Sequence, residues 1–213
     1  VAAKKDHKHY VGVKYHAPLD FSPDTIALHM FRDGYCGIVR IEDGKYNVCY
    51  LTTASNLRQS GNSIEKMEAS ILSENPHLKK IFSQTGTWRS EPVTSSQISF
   101  ANKTQVDNHI LMVGDAAGMI TPLCGNGMSM AFHGSKIAAT LIDEFLKDRI
   151  TREALEKNYE TQWQRQFGRR LRTGRQIQHL AGLPRLTAAV LQIGRLFPGL
   201  FQILIRKTHG KPF

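Results

Sequence analysis

Ile110-Leu111-Met112-Val113-Gly114-Asp115-Ala116-Ala117-Gly118-Met119-Ile120-Thr121-Pro122-Leu123-Cys124-Gly125-Asn126-Gly127-Met128-Ser129-Met130-Ala131 is the stretch whose reading decides the fold. The apolar run over residues 109–113 predicts a short buried strand. It delivers Asp115 to the strand's C-terminal end, where open α/β sheets bind ligands. Gly114 permits a tight turn, and Ala116, Ala117 and Gly118 leave room for something flat and close. Beyond the loop, Met128, Ala131, Phe132, Ser135, Ala139, Ile142 and Leu146 recur at helical spacing. Gly125 and Gly127 expose backbone N–H groups at the start of that helix, whose partial positive charge stabilises an anion. A carboxylate and a helix-end anion site on one loop suit a ligand with hydroxyls at one end and developing negative charge at the other. A lone Gly-Asp pair is an ordinary turn former. A strand before it and a glycine-rich loop and helix after it make the layout that of an α/β nucleotide-binding domain.

Upstream, residues 9–53 read as a β-meander with Asp33-Gly34 and Asp43-Gly44 as hairpin turns. Asn62-Ser63 caps a helix over residues 64–73, Pro76 opens a shorter one to about Phe82, and residues 88–100 return to extended chain. The expected fold class is therefore mixed α+β and α/β. An antiparallel sheet with a helical cover spans residues 1–103, nucleotide-binding elements span 104–147, and a basic helical region spans 148–213. That last region opens with a long polar helix over about 152–179.

Gly114-Asp115-Ala116-Ala117-Gly118, Pro122, Gly125-Asn126-Gly127 and Ala131 resemble the second FAD motif of flavoproteins of the p-hydroxybenzoate hydroxylase type, closest to the geranylgeranyl reductase-like branch. The resemblance implies FAD as cofactor, with NAD(P)H or another electron donor. It implies an oxidoreductase that reduces a double bond or hydroxylates a hydrophobic or aromatic small molecule. By the same resemblance Asp115 holds the ribityl hydroxyls. The loop from Pro122 to Gly127 lies along the isoalloxazine, and the N–H groups near Gly127 and Met128 face its N1–C2=O edge. The cofactor-binding set so implied is Gly114, Asp115, Ala116, Pro122, Gly125, Asn126, Gly127 and Met128, and the β-rich residues 9–100 stand where the family's substrate domain lies. Two features depart from the pattern. The N-terminal Gly-x-Gly-x-x-Gly of the family is absent, since the chain's one Gly-x-Gly is Gly125-Asn126-Gly127 with Met130 where the third glycine belongs. The expectation is a C-terminal portion of a longer flavoprotein, inactive when isolated. The branch's Tyr-x-Trp-x-Phe-Pro run corresponds here to Tyr35-Cys36-Gly37-Ile38-Val39-Arg40, without the Trp and Pro.

Composition sets the remaining bounds. Cys36, Cys49 and Cys124 are odd in number and widely spaced, which fits a reducing cytoplasm and neither a disulfide framework nor a zinc site. Only His7 and His9 lie close together, and no ligand set completes them, so no metal is expected. Cys124 reads as a neutral thiol beside the loop rather than a redox group. His133 reads as a packing residue, with proton transfer as the alternative. Trp88, Tyr35 and Phe31 are read as core or sheet residues against a place in a substrate wall.

The chain carries a net charge of +10, and residues 147–213 hold 14 Lys+Arg against 4 Asp+Glu, so the whole excess lies in the last third. A basic binding module without catalysis is the alternative function. The arginines of residues 165–175 would then track phosphates, but they spread round the helix and aromatic interleaving is thin, so nucleic acid is not expected. Residues 185–207 combine an apolar side (Leu186, Val190, Ile193, Leu196, Phe197) with basic flanks and no acid. That pattern predicts peripheral contact with the inner face of a membrane, against packing on the nucleotide-binding domain.

Overall fold

In the computed structural model, residues 9–83, 91–181, 184–197 and 199 are described. His7, Trp88 and the apolar run after Gly199 fall outside them. The chain divides into two compact units, Val1–Ser99 with Leu180–Ala189, and Phe100–His179 with Val190–Phe213.

The first unit is a five-stranded antiparallel sheet of order β2-β3-β4-β1-β5, formed by β1 (Tyr10–Ala17), β2 (Ala27–Phe31), β3 (Gly34–Arg40), β4 (Tyr46–Thr53) and β5 (Val93–Ile98). Alternation makes the strands: Val11, Val13, Tyr15 and Ala17 are buried while Lys14 and His16 are exposed. The two-residue turn Arg32-Asp33 forces β2 against β3, with Phe31 opposite Gly34. A Cβ at Gly34 would sit 2.5 Å from the Leu51 carbonyl oxygen, so only glycine fits. The sequence predicts a simple meander, but β1 instead lies between β4 and β5. Alternation fixes which face of a strand is buried and not which strand lies beside it. The longer connection from β1 to β2 leaves that choice to packing.

Three helices follow: α1 (Ala54–Gln59), α2 (Ile64–Ser70) and α3 (Pro76–Ser83). The Ser63 side chain accepts the Lys66 N–H to cap α2, as its position before the apolar run predicts. Met67, Leu72 and Leu78 are buried with Val13, Ile38, Val48 and Tyr50 in one core. Phe31 and Tyr35 are buried as well. Within the core Glu68, 2% exposed, accepts hydrogen bonds from the Tyr15 and Tyr50 hydroxyls at 2.7 and 2.8 Å.

The second unit begins with a small antiparallel pair, β6 (Val106–Asp107) and β7 (Ile110–Leu111). Asn108 and His109 make the turn in the left-handed region. The buried strand expected over 109–113 is thus shorter than predicted, and Ile110 is 61% exposed. An apolar run becomes a buried strand only where a sheet receives it, and among the described residues β6 is its one strand partner. Then come α4 (Gly127–Leu146) and α5 (Arg152–Ala181, to His179 in this unit), and α6 (Pro184–Leu196) is divided between the two units at Ala189. The helix α5 is polar in composition, yet Leu155, Tyr159, Trp163, Phe167 and Leu171 recur every fourth residue and are all buried against Ala117, Ile120, Cys124, Met130 and Leu141. No helix of the described residues is long and apolar enough to cross a membrane.

Candidate functional site

The Gly114–Met128 loop is held by its own backbone and by α5. Val113 is extended, and the chain then turns through a 3-10 turn, Gly114–Ala116. Gly114 has φ +59, where any L side chain is strained. The Gly114 carbonyl accepts from the N–H groups of Ala117 (3.1 Å) and Gly118 (3.2 Å). Gln105 Nε2 donates to the Ala117 carbonyl at 2.9 Å, and Gln164 Nε2 on α5 donates to Gln105 Oε1 at 2.7 Å. Tyr159 donates its hydroxyl to the Met112 carbonyl at 2.6 Å, which fixes the chain just before the turn. Gln105, Gln164 and Tyr159 escape the sequence reading. For Tyr159 and Gln164 the signal is a polar group on or beside the buried stripe of α5, and Gln105, just before β6, carries none.

A second 3-10 turn, Pro122–Cys124, begins on proline and ends on Gly125 at φ +68. Thr121 Oγ1 lies 3.4 Å from Cys124 Sγ and donates to the Gly174 carbonyl at 3.3 Å. Burial raises the Cys124 thiol above its usual value, with the Thr121 contact working the other way. Among the described residues no group of three metal-ligating side chains forms. His133 packs its ring edge-on to Phe167 at 5.4 Å, with Nδ1 3.3 Å from Gln166 Nε2. Burial, then Arg170 and Lys136, lowers its pKa.

Asn126 is the N-cap of α4 but makes no side-chain cap, and its carbonyl accepts the Met130 N–H. The N–H groups of Gly127 and Met128 therefore have no acceptor within the helix. Gly114 and Asp115 from the first turn meet Gly127, Met130 and Ala131 from α4 around a small crevice of about 10 Å³ that Trp163 also lines. The Asp115 and Ala116 side chains are exposed. Pro122, Gly125 and Asn126 shape the loop without lining that crevice, and Met128 is 81% exposed beside it. The Gly114-Asp115 turn and the start of α4 are thus brought together.

The family model for squalene epoxidase matches residues 45–167. Conditioned medium factor receptor 1 of Dictyostelium discoideum is 28% identical over 137 residues, which is 63% of this chain and 26% of that protein. Digeranylgeranylglycerophospholipid reductase 1 of Methanopyrus kandleri is 31% identical over 77 residues, 36% of this chain and 20% of that protein. Among solved structures, HpxO of Klebsiella pneumoniae, complexed with FAD, superposes with a TM-score of 0.62 at 15% identity, over 93% of this chain and 54% of that one. That last likeness is one of fold. The chain spans about a quarter of the length of the first curated relative and about half that of the solved structure. The flavoprotein resemblance drawn from the motif is borne out. With the match running from β4 through the Gly114–Met128 loop and into α5, the chain belongs to the squalene epoxidase family and has the fold of FAD-dependent oxidoreductases.

Proposed function

We propose that this chain supplies the ribityl and isoalloxazine end of an FAD site in an oxidoreductase acting on a hydrophobic or aromatic small molecule. The observation that carries the reading is the meeting of Asp115, in the 3-10 turn after β7, with the uncapped N-terminus of α4, in a chain of the squalene epoxidase family. The residues fit a flavin. Asp115 is an exposed carboxylate able to accept hydrogen bonds from vicinal hydroxyls, and Gly114 and Ala116 put no bulky side chain in the way of a flat ring. Pro122 and Gly125 set the course of the loop, while Asn126 starts the helix. Gly127 and Met128 offer backbone donors and a helix dipole where negative charge collects on a reduced ring.

When bound, the flavin supplies the redox chemistry, with NAD(P)H or another donor reducing it. The protein's own part is to orient the ring, hold charge at its edge and exclude water. Double-bond reduction and hydroxylation are both compatible with this site. By the resemblance, the β-rich unit is the proposed substrate domain. The test is Asp115→Ala in the protein: visible flavin absorbance per chain and FAD affinity are measured. A charge-assisted hydrogen bond to a hydroxyl is worth about ten- to a hundredfold in affinity. Undiminished flavin binding would remove Asp115 from the ribityl role.

The reading extends to peripheral contact with an anionic membrane surface through residues 185–207. It is supported by Val190, Ile193, Leu196 and Phe197, exposed apolar residues at helical spacing on or next to α6, beside the basic Arg195. Co-sedimentation with anionic vesicles tests it. Truncation before Gly182 should abolish vesicle binding, and equal binding with and without the segment would refute the contact.

A further inference from the structure

Next to the 117–119 segment, the second unit holds a cavity of about 420 Å³ lined by residues 101–105 and α5. Its charged lining is entirely cationic: Lys103, Arg172 and Arg175. None of the three pairs with a carboxylate among the described residues. Lys103 Nζ donates to the Asp115 carbonyl at 2.7 Å, and Arg175 Nη1 to the Phe100 carbonyl at 3.5 Å. These bonds anchor the side chains yet use few of their donors, since an ammonium has three and a guanidinium five. Arg172 and Arg175 lie three apart on one side of α5, close enough for Arg172, after burial, to lower the Arg175 pKa. Arg175 is partly buried whereas Arg172 and Lys103 are exposed, and like charges side by side on one wall cost free energy that a bound anion offsets. Asn102 and Gln164 add neutral donors, and the Trp163 indole forms an apolar part of the wall.

We propose that this cavity binds a phosphate or diphosphate ester, with Lys103, Arg172 and Arg175 holding the phosphate oxygens and the remainder of the molecule lying toward Trp163. Guanidinium pairs suit tetrahedral dianions because each presents a planar fork of donors. The volume exceeds that of a phosphate group alone, so the ligand has a body. A nucleotide and a glycerophosphate headgroup share the required chemistry.

The test reads the emission of Trp163 in the Trp88→Phe chain, where it is the sole tryptophan. Inorganic pyrophosphate, adenosine diphosphate and glycerol 3-phosphate are titrated at constant ionic strength. Isothermal titration of pyrophosphate into the unsubstituted chain gives a second readout that needs no substitution. Pyrophosphate should give a saturable response that chloride does not. Arg172→Gln with Arg175→Gln should weaken it by about ten- to a hundredfold, while Lys at both positions should retain most of it. The tighter of the two esters then identifies the source of the phosphate. No saturable pyrophosphate binding, or unchanged affinity in a folded double-Gln chain, overturns the proposal. Because no flavin is present, failure of the FAD reading leaves this result intact.

Discussion

The Trp163 indole is pressed against the backbone of Gly118, so that a Cβ at residue 118 would come within 2.6 Å of Trp163 Cη2 and 3.1 Å of Leu171 Cδ1. Trp163 is buried at the centre of the α5 stripe, and Gly118 ends the Gly114-Asp115-Ala116-Ala117-Gly118 turn. The contact thus ties the candidate flavin loop to the core of its unit. Glycine is needed here for space, since Gly118 does not occupy the left-handed region.

Gly118→Val should therefore destabilise the second unit by overpacking, by about 1–3 kcal/mol. Thermal or denaturant unfolding followed by Trp163 fluorescence checks this. Gly125→Ala provides the contrast: its added Cβ meets nothing within 4 Å, and only the backbone at φ +68 is strained. A cost of about 1 kcal/mol is expected there. Equal costs at the two sites would contradict the packing account.

Alkaline pH should weaken the second unit through Tyr159. Burial raises its phenol from 10.0 to about 12, and the neutral hydroxyl donates to the Met112 carbonyl. A raised folded-state pKa means that the folded chain holds the proton more tightly than the unfolded chain does. The stabilisation is therefore complete below pH 10 and is lost as pH rises from there through about 12. Unfolding free energies measured across that window should fall, and Tyr159→Phe should remove the component of the fall that this residue contributes.

The three cysteines should differ in reactivity. Cys36 and Cys124 are buried, while Cys49 is partly exposed. Burial is the main cause raising all three thiols. The thiolate is the nucleophile, so a disulfide reagent should modify Cys49 first and the other two only on unfolding. Mass mapping of early adducts is the measurement. Rapid labelling of Cys124 in the folded chain would restore it as a redox candidate.

The sequence by itself determined the local elements and the chemistry of the loop. Alternation in β1, the Ser63 cap and the loop-helix order around Asp115 are properties of residues close together in the chain, and the hairpin expected at Asp33-Gly34 forms one residue earlier, at Arg32-Asp33. Their physical causes act over a few residues, through side-chain direction, backbone freedom and hydrogen bonding. Tertiary structure decided what depends on partners far away. It placed β1 between β4 and β5, since strand order rests on which edges meet. It reduced the expected strand at 109–113 to a two-residue pairing with β6, because a strand exists only with a neighbour. It turned α5 from a polar, basic helix into the central support of the loop. Leu155 to Leu171 contribute one buried residue in four, a stripe too narrow to stand out among charges until Gly118, Ile120 and Met130 are packed against it. Composition sums a helix over all its faces, whereas burial selects one of them.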